Sequence, residues 1–224
     1  MTVHVGPLTL DWLGYATVRI EGETGVVIYT DPGRFGVLEG QRPEDGDLVL
    51  VTHGEHYDPD GIDRVASDET FVLVHESVDA TDLERSVEQP SRLPYEVERV
   101  REDESFVLGP LDLYTIPAHN TDGTPHPSGA GCGYAVTIDG LQVCWLGDTD
   151  VLPVHEELRP DVLVVPIGGT CTMDRHEAAD LAERLRPTVV LPVHYDTVPA
   201  IDANAEAFAI DVARRGVPVT LEEP

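Results

Sequence analysis

The sequence predicts an α/β protein built as a four-layer αββα sandwich, two sheets face to face with helices outside, in one domain covering residues 1–224. Three observations point there. The first half is mostly short β-rich runs joined by turns, with one brief helical stretch. The second half ends in alternating helical and strand patterns. Two runs, Leu48–Val51 and Val162–Val165, are apolar throughout, as expected of strands covered on both faces. At 224 residues and 41% hydrophobic content, the chain can build one substantial core.

The elements follow in order. Leu8–Leu13 and Ala16–Ile20 are rich in β-formers and partly alternate, with Gly14 between them. Val26–Tyr29 predicts a third strand, stopped by Asp31-Pro32-Gly33. Leu48–Val51 follows and delivers Thr52-His53; Pro59-Asp60-Gly61 then opens a short helix ending near Ala66. Phe71–Val74 returns as a strand, and residues 76–92 are polar and read as helix or loop. Strands are expected near 95–100, 105–108 and 111–116. The segment Asn120–Gly131, rich in Gly, Pro and Thr, is too long for a simple turn, and long loops in compact domains tend to carry function. Residues 133–138 and 141–146 form a hairpin about Asp139-Gly140. After Val162–Val165, Asp174 with Glu177 three positions on marks a helix start, and Ala178, Leu181, Ala182 and Leu185 share one face of that helix. It stops before Pro187, and Val189–Leu191 leads to His194. Ala205–Arg215 is the last helix, capped by Gly216.

Charge is the most unusual feature of the composition. Asp and Glu number 42 against 14 basic residues, every one of them Arg, for a formal charge of −28. The acids are scattered, with no acidic tail. This pattern suits a high-salt cytoplasm, where repulsion is screened within a few ångströms; a solvated acidic surface with no further role is the plainer alternative. Either way no basic stripe exists to displace counterions, so nucleic acid is not an expected partner. No run of about 18 apolar residues would span a membrane, and Met1–His4 lacks the features of a signal peptide. With a hairpin about Asp139-Gly140, Cys132 lies opposite Gly147 and Cys144 opposite Ala135, so these two do not pair. Three reduced thiols in a cytoplasmic protein are expected. Oligomeric state is not legible.

Four segments after apolar runs present chemistry: Thr52-His53-Gly54-Glu55-His56-Tyr57-Asp58, Pro117-Ala118-His119, Gly147-Asp148-Thr149-Asp150 and Pro192-Val193-His194-Tyr195. His and carboxylate are the ligands of hydrolytic zinc or manganese sites, and strand ends hold such groups rigidly. Together with Pro166-Ile167-Gly168-Gly169, Thr172-Met173, Glu177-Ala178-Ala179, Trp12-Leu13-Gly14 and Asp31-Pro32, these segments make the chain resemble the metallo-β-lactamase-fold hydrolases from about Leu8 to Phe208. The resemblance is to the branch of ascorbate-6-phosphate lactonase-like and similar zinc-dependent hydrolases.

The resemblance implies the αββα sandwich and a site at one end of the sheets, with two divalent metals, zinc or manganese, bridged by a hydroxide. The signature loop of that family reads Thr-His-x-His-x-Asp-His. Read without a gap, His53 matches, Glu55 replaces the second His, Tyr57 the Asp, and Asp58 the last His. A shifted reading makes His53-Gly54-Glu55-His56 the closing half and puts Val51 at the first His. The ungapped reading is preferred because the strand then ends at His53, with His56 as a reserve ligand. By resemblance, His53, Glu55 and His119 form one metal site and Asp58, Asp148 and His194 the other. Asp148 bridges them, and Asp148 and Asp58 are the catalytic carboxylates. Glu55 is expected to face the site because side chains two apart in an extended segment point the same way.

The implied activity is hydrolysis of a small-molecule ester, lactone or phosphoester by metal-bound hydroxide. The alternative is a catalytically silent protein of the same fold that binds a ligand or a protein. Arg34 and Arg175 are the nearest cations in motif context. His126, in the long loop, is read as a surface residue in preference to a substrate contact; His75, His155 and His176 are assigned to structure, and His4 to the N-terminal tail. Tyr195 orients substrate or packs. Tyr15 stands where relatives carry a His, removing a polar group from near the site. Cys171 is a weak candidate, and Gly168–Cys171 lacks the Lys-Ser/Thr of a phosphate loop.

Overall fold

The computed structural model describes residues 2–33, 38, 40–197, 201 and 203–221. The first sheet holds β1 (Thr2–Val5), β2 (Leu8–Trp12), β3 (Val18–Glu21), β4 (Val27–Thr30), β5 (Gly46–Val51), β6 (Ala66–His75) and β7 (Glu96–Val100), in that spatial order. The second holds β8 (Ser105–Leu108), β9 (Leu111–Pro117), β10 (Cys132–Ile138), β11 (Leu141–Trp145), β12 (Val162–Pro166) and β13 (Val189–Val193), also in chain order. Each sheet begins as an antiparallel meander and turns parallel, at β4–β5 in the first and β11–β12 in the second. Parallel pairing requires crossovers, supplied in part by the helices α1 (Pro59–Val65) and α2 (Arg175–Leu185).

The layers follow from side-chain alternation. In β5, Leu48 and Leu50 enter the core between the sheets, whereas Val49 and Val51 pack with Ile62 and Val65 of α1. Two covered faces explain why that run is apolar throughout. On the second sheet, α2 buries Ala178, Leu181, Ala182 and Leu185, and α3 (Ala205–Arg214) buries Phe208 and Val212, in the core that includes β12. Each such large apolar side chain contributes roughly 1.5–3 kcal/mol. The result is the expected αββα sandwich.

Local signals set the helix ends. Asp58 caps α1 by accepting from Asp60 N–H, and Pro59 occupies the first turn, where its missing N–H costs nothing. Asp174 and Glu177 form a reciprocal capping box on α2, which ends at Arg186 in the left-handed region (φ 52°) before Pro187. Gly61 lets α1 seat on the turn after β4, because a Cβ there would lie 2.3 Å from the Pro32 carbonyl oxygen.

Three differences from the sequence reading have clear causes. The N-terminal residues are not a tail: Val3 and Val5 are buried in β1, which pairs antiparallel with β2, so His4 lies in a strand. Strand β6 starts five residues early, at Ala66, where Thr70 Oγ1 bonds the Gly46 carbonyl. Within 76–92 there is no α-helix; turns lead to a short 3₁₀ turn, Pro90–Arg92. Cys144 pairs with Ala135 across the hairpin, and all three cysteines are free thiols. No helix among the described residues is long and apolar enough to cross a membrane.

Candidate metal centre

Strand ends bring the polar residues together. Asp31 follows β4, Thr52 and His53 follow β5, Asp148 follows β11 and His194 follows β13. After His53 the chain makes a 3₁₀ turn, Gly54–His56. In that geometry residues three apart eclipse, so His53 and His56 share a side, with ring centroids 4.2 Å apart.

The buried carboxylate of Asp148 lies among three imidazoles. His194 Nε2 is 3.0 Å and His56 Nε2 3.8 Å from its Oδ1, while His53 Nε2 is 3.9 Å from its Oδ2. Burial opposes charge on Asp148, but His194, His56 and His53 hold it well below the ordinary carboxylate range. Burial beside His56 pushes His53 down to about 3. Burial also pulls on His56, yet Asp148 and Asp31 outweigh it and raise His56 to about 9.

Behind the imidazoles lies a fixed network. Thr52 Oγ1 donates its one proton to Asp31 Oδ2 at 2.9 Å and lies 2.9 Å from His53 Nδ1. His53 Nδ1 is therefore the N–H donor to Thr52, which leaves its Nε2 as a lone pair. His56 Nδ1 lies 3.2 Å from Asp31 Oδ2, which directs its Nε2 toward Asp148 in the same way. Trp145 Nε1 donates to the same Asp31 oxygen at 3.0 Å. Backbone also closes on the site: Gly131 bridges His53, and a Cβ at Gly131 would sit 2.9 Å from His53 Cβ.

The 120–131 loop contributes His126. Asn120 exchanges bonds with it, Asn120 N–H to the His126 carbonyl at 2.8 Å and His126 N–H to Asn120 Oδ1 at 3.1 Å. Asn120 is itself held by Asp150 and the Cys171 carbonyl, both at 3.0 Å. His126 is thereby buried edge-on to His53, at a centroid distance of 4.7 Å, and its Nε2 lies 3.9 Å from Glu55 Oε2. Tyr15 covers the other side, its ring 4.1 Å from that of His194. Burial, with Asp148 nearby, raises its phenol above the ordinary value, so it stays protonated.

The structure gathers His53, His56, Asp148 and His194, with Glu55 and His126 at the rim. It does not bring in Asp58, whose carboxylate caps α1 and faces Arg85 at 3.6 Å. Tyr57 also turns away, donating to the Glu88 carbonyl. His119 is held through its backbone, bonded to Thr149; its Nδ1 is buried without a hydrogen-bond partner among the described residues, and it belongs to neither group of mutually close ligand atoms. The ungapped reading assumed extended backbone through residues 53–58. The 3₁₀ turn instead loops out Glu55, whose side chain is 66% exposed, and gives the second place to His56. On that reading Asp58 matches the Asp of the signature and Pro59 replaces its last His. Arg34 lies outside the described residues, and Arg175 is engaged by Asp211. His155 is structural, bonded to the Leu152 N–H and the Pro117 carbonyl.

Sequence reasoning gave Asp31 no place in the site, although Asp31-Pro32 was among the segments carrying the resemblance, and it preferred a surface loop for His126. The signal for Asp31 was an acid ending a wholly buried strand; the signal for His126 was the length of its loop.

The residues fit a metal. His53 Nε2 and His56 Nε2 are buried without a hydrogen-bond partner among the described residues, and His194 Nε2 and Asp148 Oδ1 meet in an ion-pair contact at 3.0 Å without an aligned hydrogen bond. A buried nitrogen left unpaired costs about 1–3 kcal/mol, and a cation shared by these convergent atoms removes that cost. His53, His56 and Asp148 offer atoms within 4.8 Å of one another.

The chain is similar to known proteins over nearly its whole length. A family profile described as the β-lactamase superfamily domain matches residues 9–194. A UPF0173 metal-dependent hydrolase from Methanosphaerula palustris is 34% identical over 217 residues, 92% of each chain. Another, from Methanoregula boonei, is 35% identical over 92% of this chain and 90% of its own. Igni18, a metallo hydrolase from Ignicoccus hospitalis, superposes with a TM-score of 0.75 at 25% identity, over 97% of this chain and 95% of its own. The metallo-β-lactamase fold protein YhfI from Bacillus subtilis shares the fold, with a TM-score of 0.69 at 11% identity over 97% of each chain.

Proposed function

We propose, for a chain that belongs to the β-lactamase superfamily and is a metal-dependent hydrolase, that it cleaves a carboxylic ester or lactone of a small molecule at the His53–His56–Asp148–His194 cluster. The observation that carries this reading is the set of orphaned buried atoms converging on Asp148. Zinc suits three imidazoles and a carboxylate. The case for manganese rested on Asp58, which stands outside the cluster. A divalent cation held here would lower the pKa of a bound water toward neutrality and polarise the substrate carbonyl.

The chain's own groups do the rest. Asp148, kept ionised by the surrounding imidazoles, orients the attacking water. Asp31 and Thr52 hold two of the imidazoles so that no reorganisation is needed during reaction. Tyr15 packs on His194 and shields that flank from water.

The choice of bond comes from charge. Glu55 stands at the rim of the cluster beside His126, and Asp31 lies behind His56. Arg85 and Arg175, the cations nearest in context, are engaged by Asp58 and Asp211. With no arginine left over among these two to clamp a phosphate beside the cation, the site suits an ester or lactone, whose carbonyl needs only the Lewis acid.

The test is a panel of p-nitrophenyl carboxylic esters and lactones against phosphomonoesters and phosphodiesters, assayed with zinc-loaded protein and with His194→Ala. Turnover of esters or lactones that is abolished by chelation and lost in His194→Ala is the expected result. Turnover confined to phosphoesters would overturn the bond assignment.

A further inference from the structure

We propose that His126 and Glu55 form the specificity wall of this site and recognise a hydroxyl group next to the scissile carbonyl, so that the substrate is a hydroxylated ester or lactone; this rests on reading the His53–His56–Asp148–His194 cluster as the site of ester or lactone hydrolysis.

The first observation is the state of His126. It is only 6% exposed, and neither ring nitrogen makes an aligned hydrogen bond among the described residues. A buried polar group left unmet costs about 1–3 kcal/mol. The segment that carries the ring is nevertheless fixed. Asn120 bonds both the carbonyl and the N–H of His126, and Asp150 and the Cys171 carbonyl hold Asn120 in turn. A ring without partners on a segment so firmly held is presented to a group from outside the chain.

The second observation is the gap between His126 and Glu55. Nε2 and Oε2 stand 3.9 Å apart, beyond hydrogen-bond range. A single oxygen about 2.8 Å from each spans that gap. It has to accept from the imidazole N–H and donate to the carboxylate, which only accepts. A hydroxyl does both. A carbonyl or ether oxygen has no proton to donate, and an amide nitrogen has no lone pair to offer. Glu55 also lies at the entrance: the 3₁₀ turn Gly54–His56 loops it out, and its side chain is 66% exposed above the buried ring.

The third observation is where the pair stands. His53, Glu55 and His126 offer side-chain atoms all within 4.8 Å of one another, and the His126 ring lies edge-on to His53 at 4.7 Å. A hydroxyl held between Glu55 and His126 is therefore beside the imidazole that faces Asp148 Oδ2. A hydroxyl on the carbon next to the carbonyl meets that spacing; one at the far end of a long acyl chain does not.

Such a wall discriminates. A substrate without the hydroxyl leaves His126 unmet in the complex, and sites that hydrogen-bond a substrate hydroxyl reject analogues lacking it by up to about 10⁴–10⁵-fold. The competing arrangement makes His126 and Glu55 an ion pair that only closes the loop.

A matched pair of substrates separates the two. The zinc-loaded full chain is assayed with α-hydroxy-γ-butyrolactone and with γ-butyrolactone, beside His126→Phe and His126→Gln. Melting of the metal-free proteins confirms folding, and mass spectrometry gives zinc per chain. The wild type is expected to prefer the hydroxylated lactone by about 100-fold in kcat/KM. His126→Phe, which fills the space without an N–H, should lose most of that preference, and His126→Gln should keep part of it. Zinc content should be equal in all three. The wild-type preference reads the proposal even where a variant does not fold. No preference in the wild type, a preference that survives in folded His126→Phe, or zinc lost from that variant would overturn the wall and leave the ester or lactone reading standing. No turnover of either lactone or of the ester panel would overturn that reading and the wall with it.

Discussion

Asp31 grips Thr52 at two points: the Thr52 N–H donates to Oδ1 at 2.8 Å and the Thr52 hydroxyl to Oδ2 at 2.9 Å. The pair locks the end of β5 to the end of β4, side by side in the first sheet, and settles which nitrogen each imidazole turns toward Asp148. One buried acid therefore sets the orientation of two imidazoles.

Replacing that acid should uncouple metal affinity from folding. In Asp31→Asn an NH₂ group would compete with the donors Thr52, His56 and Trp145, and the imidazoles would lose their fixed tautomers. We expect zinc affinity to fall by about 10–100-fold, as is usual when a group behind a metal ligand is lost. Isothermal titration with zinc measures this. Affinity equal to the wild type would show that Asp31 serves the fold and not the site.

Acid should destabilise the metal-free protein partly through His155. Its ring is fully buried, and burial lowers it to about 4 from an ordinary 6.5. The unfolded chain then binds a proton that the folded one refuses. Stability from this group is complete above pH 6.5 or so and is lost as pH falls toward 4, to a total of about 3 kcal/mol. In His155→Gln, which keeps an acceptor and a donor, denaturant melts from pH 7 to pH 4 should show a shallower loss. Identical pH profiles would remove His155 from the account.

Salt should matter unusually. With 42 acids against 14 arginines, unscreened repulsion opposes the compact state. The melting temperature is expected to rise from dilute buffer to multimolar KCl. A temperature equal or higher in dilute buffer would mean that the acids are only a solvated coat.

Legibility followed locality. Apolar runs such as Leu48–Val51 revealed sheet layers because a strand covered on both faces has no polar positions to spare. The capping box at Asp174 and Glu177 was legible because it spans four residues. His53, Asp148 and His194 were legible as strand-end residues. The residues between His53 and Asp58 were misjudged because extended spacing pairs positions two apart, whereas the 3₁₀ turn pairs positions three apart and brings His56 in. His126 was set aside as surface because its burial depends on Asn120 bonding to Asp150 and Cys171, partners 30 and 51 residues away. No pattern within the loop encodes that.

The most direct test of the metal centre is anomalous diffraction at the zinc edge from crystals of the zinc-loaded protein. The account predicts a peak within about 2.3 Å of His56 Nε2, His194 Nε2 and an oxygen of Asp148. Zinc bound elsewhere on the molecule, with no peak in coordinating range of Asp148, would contradict it.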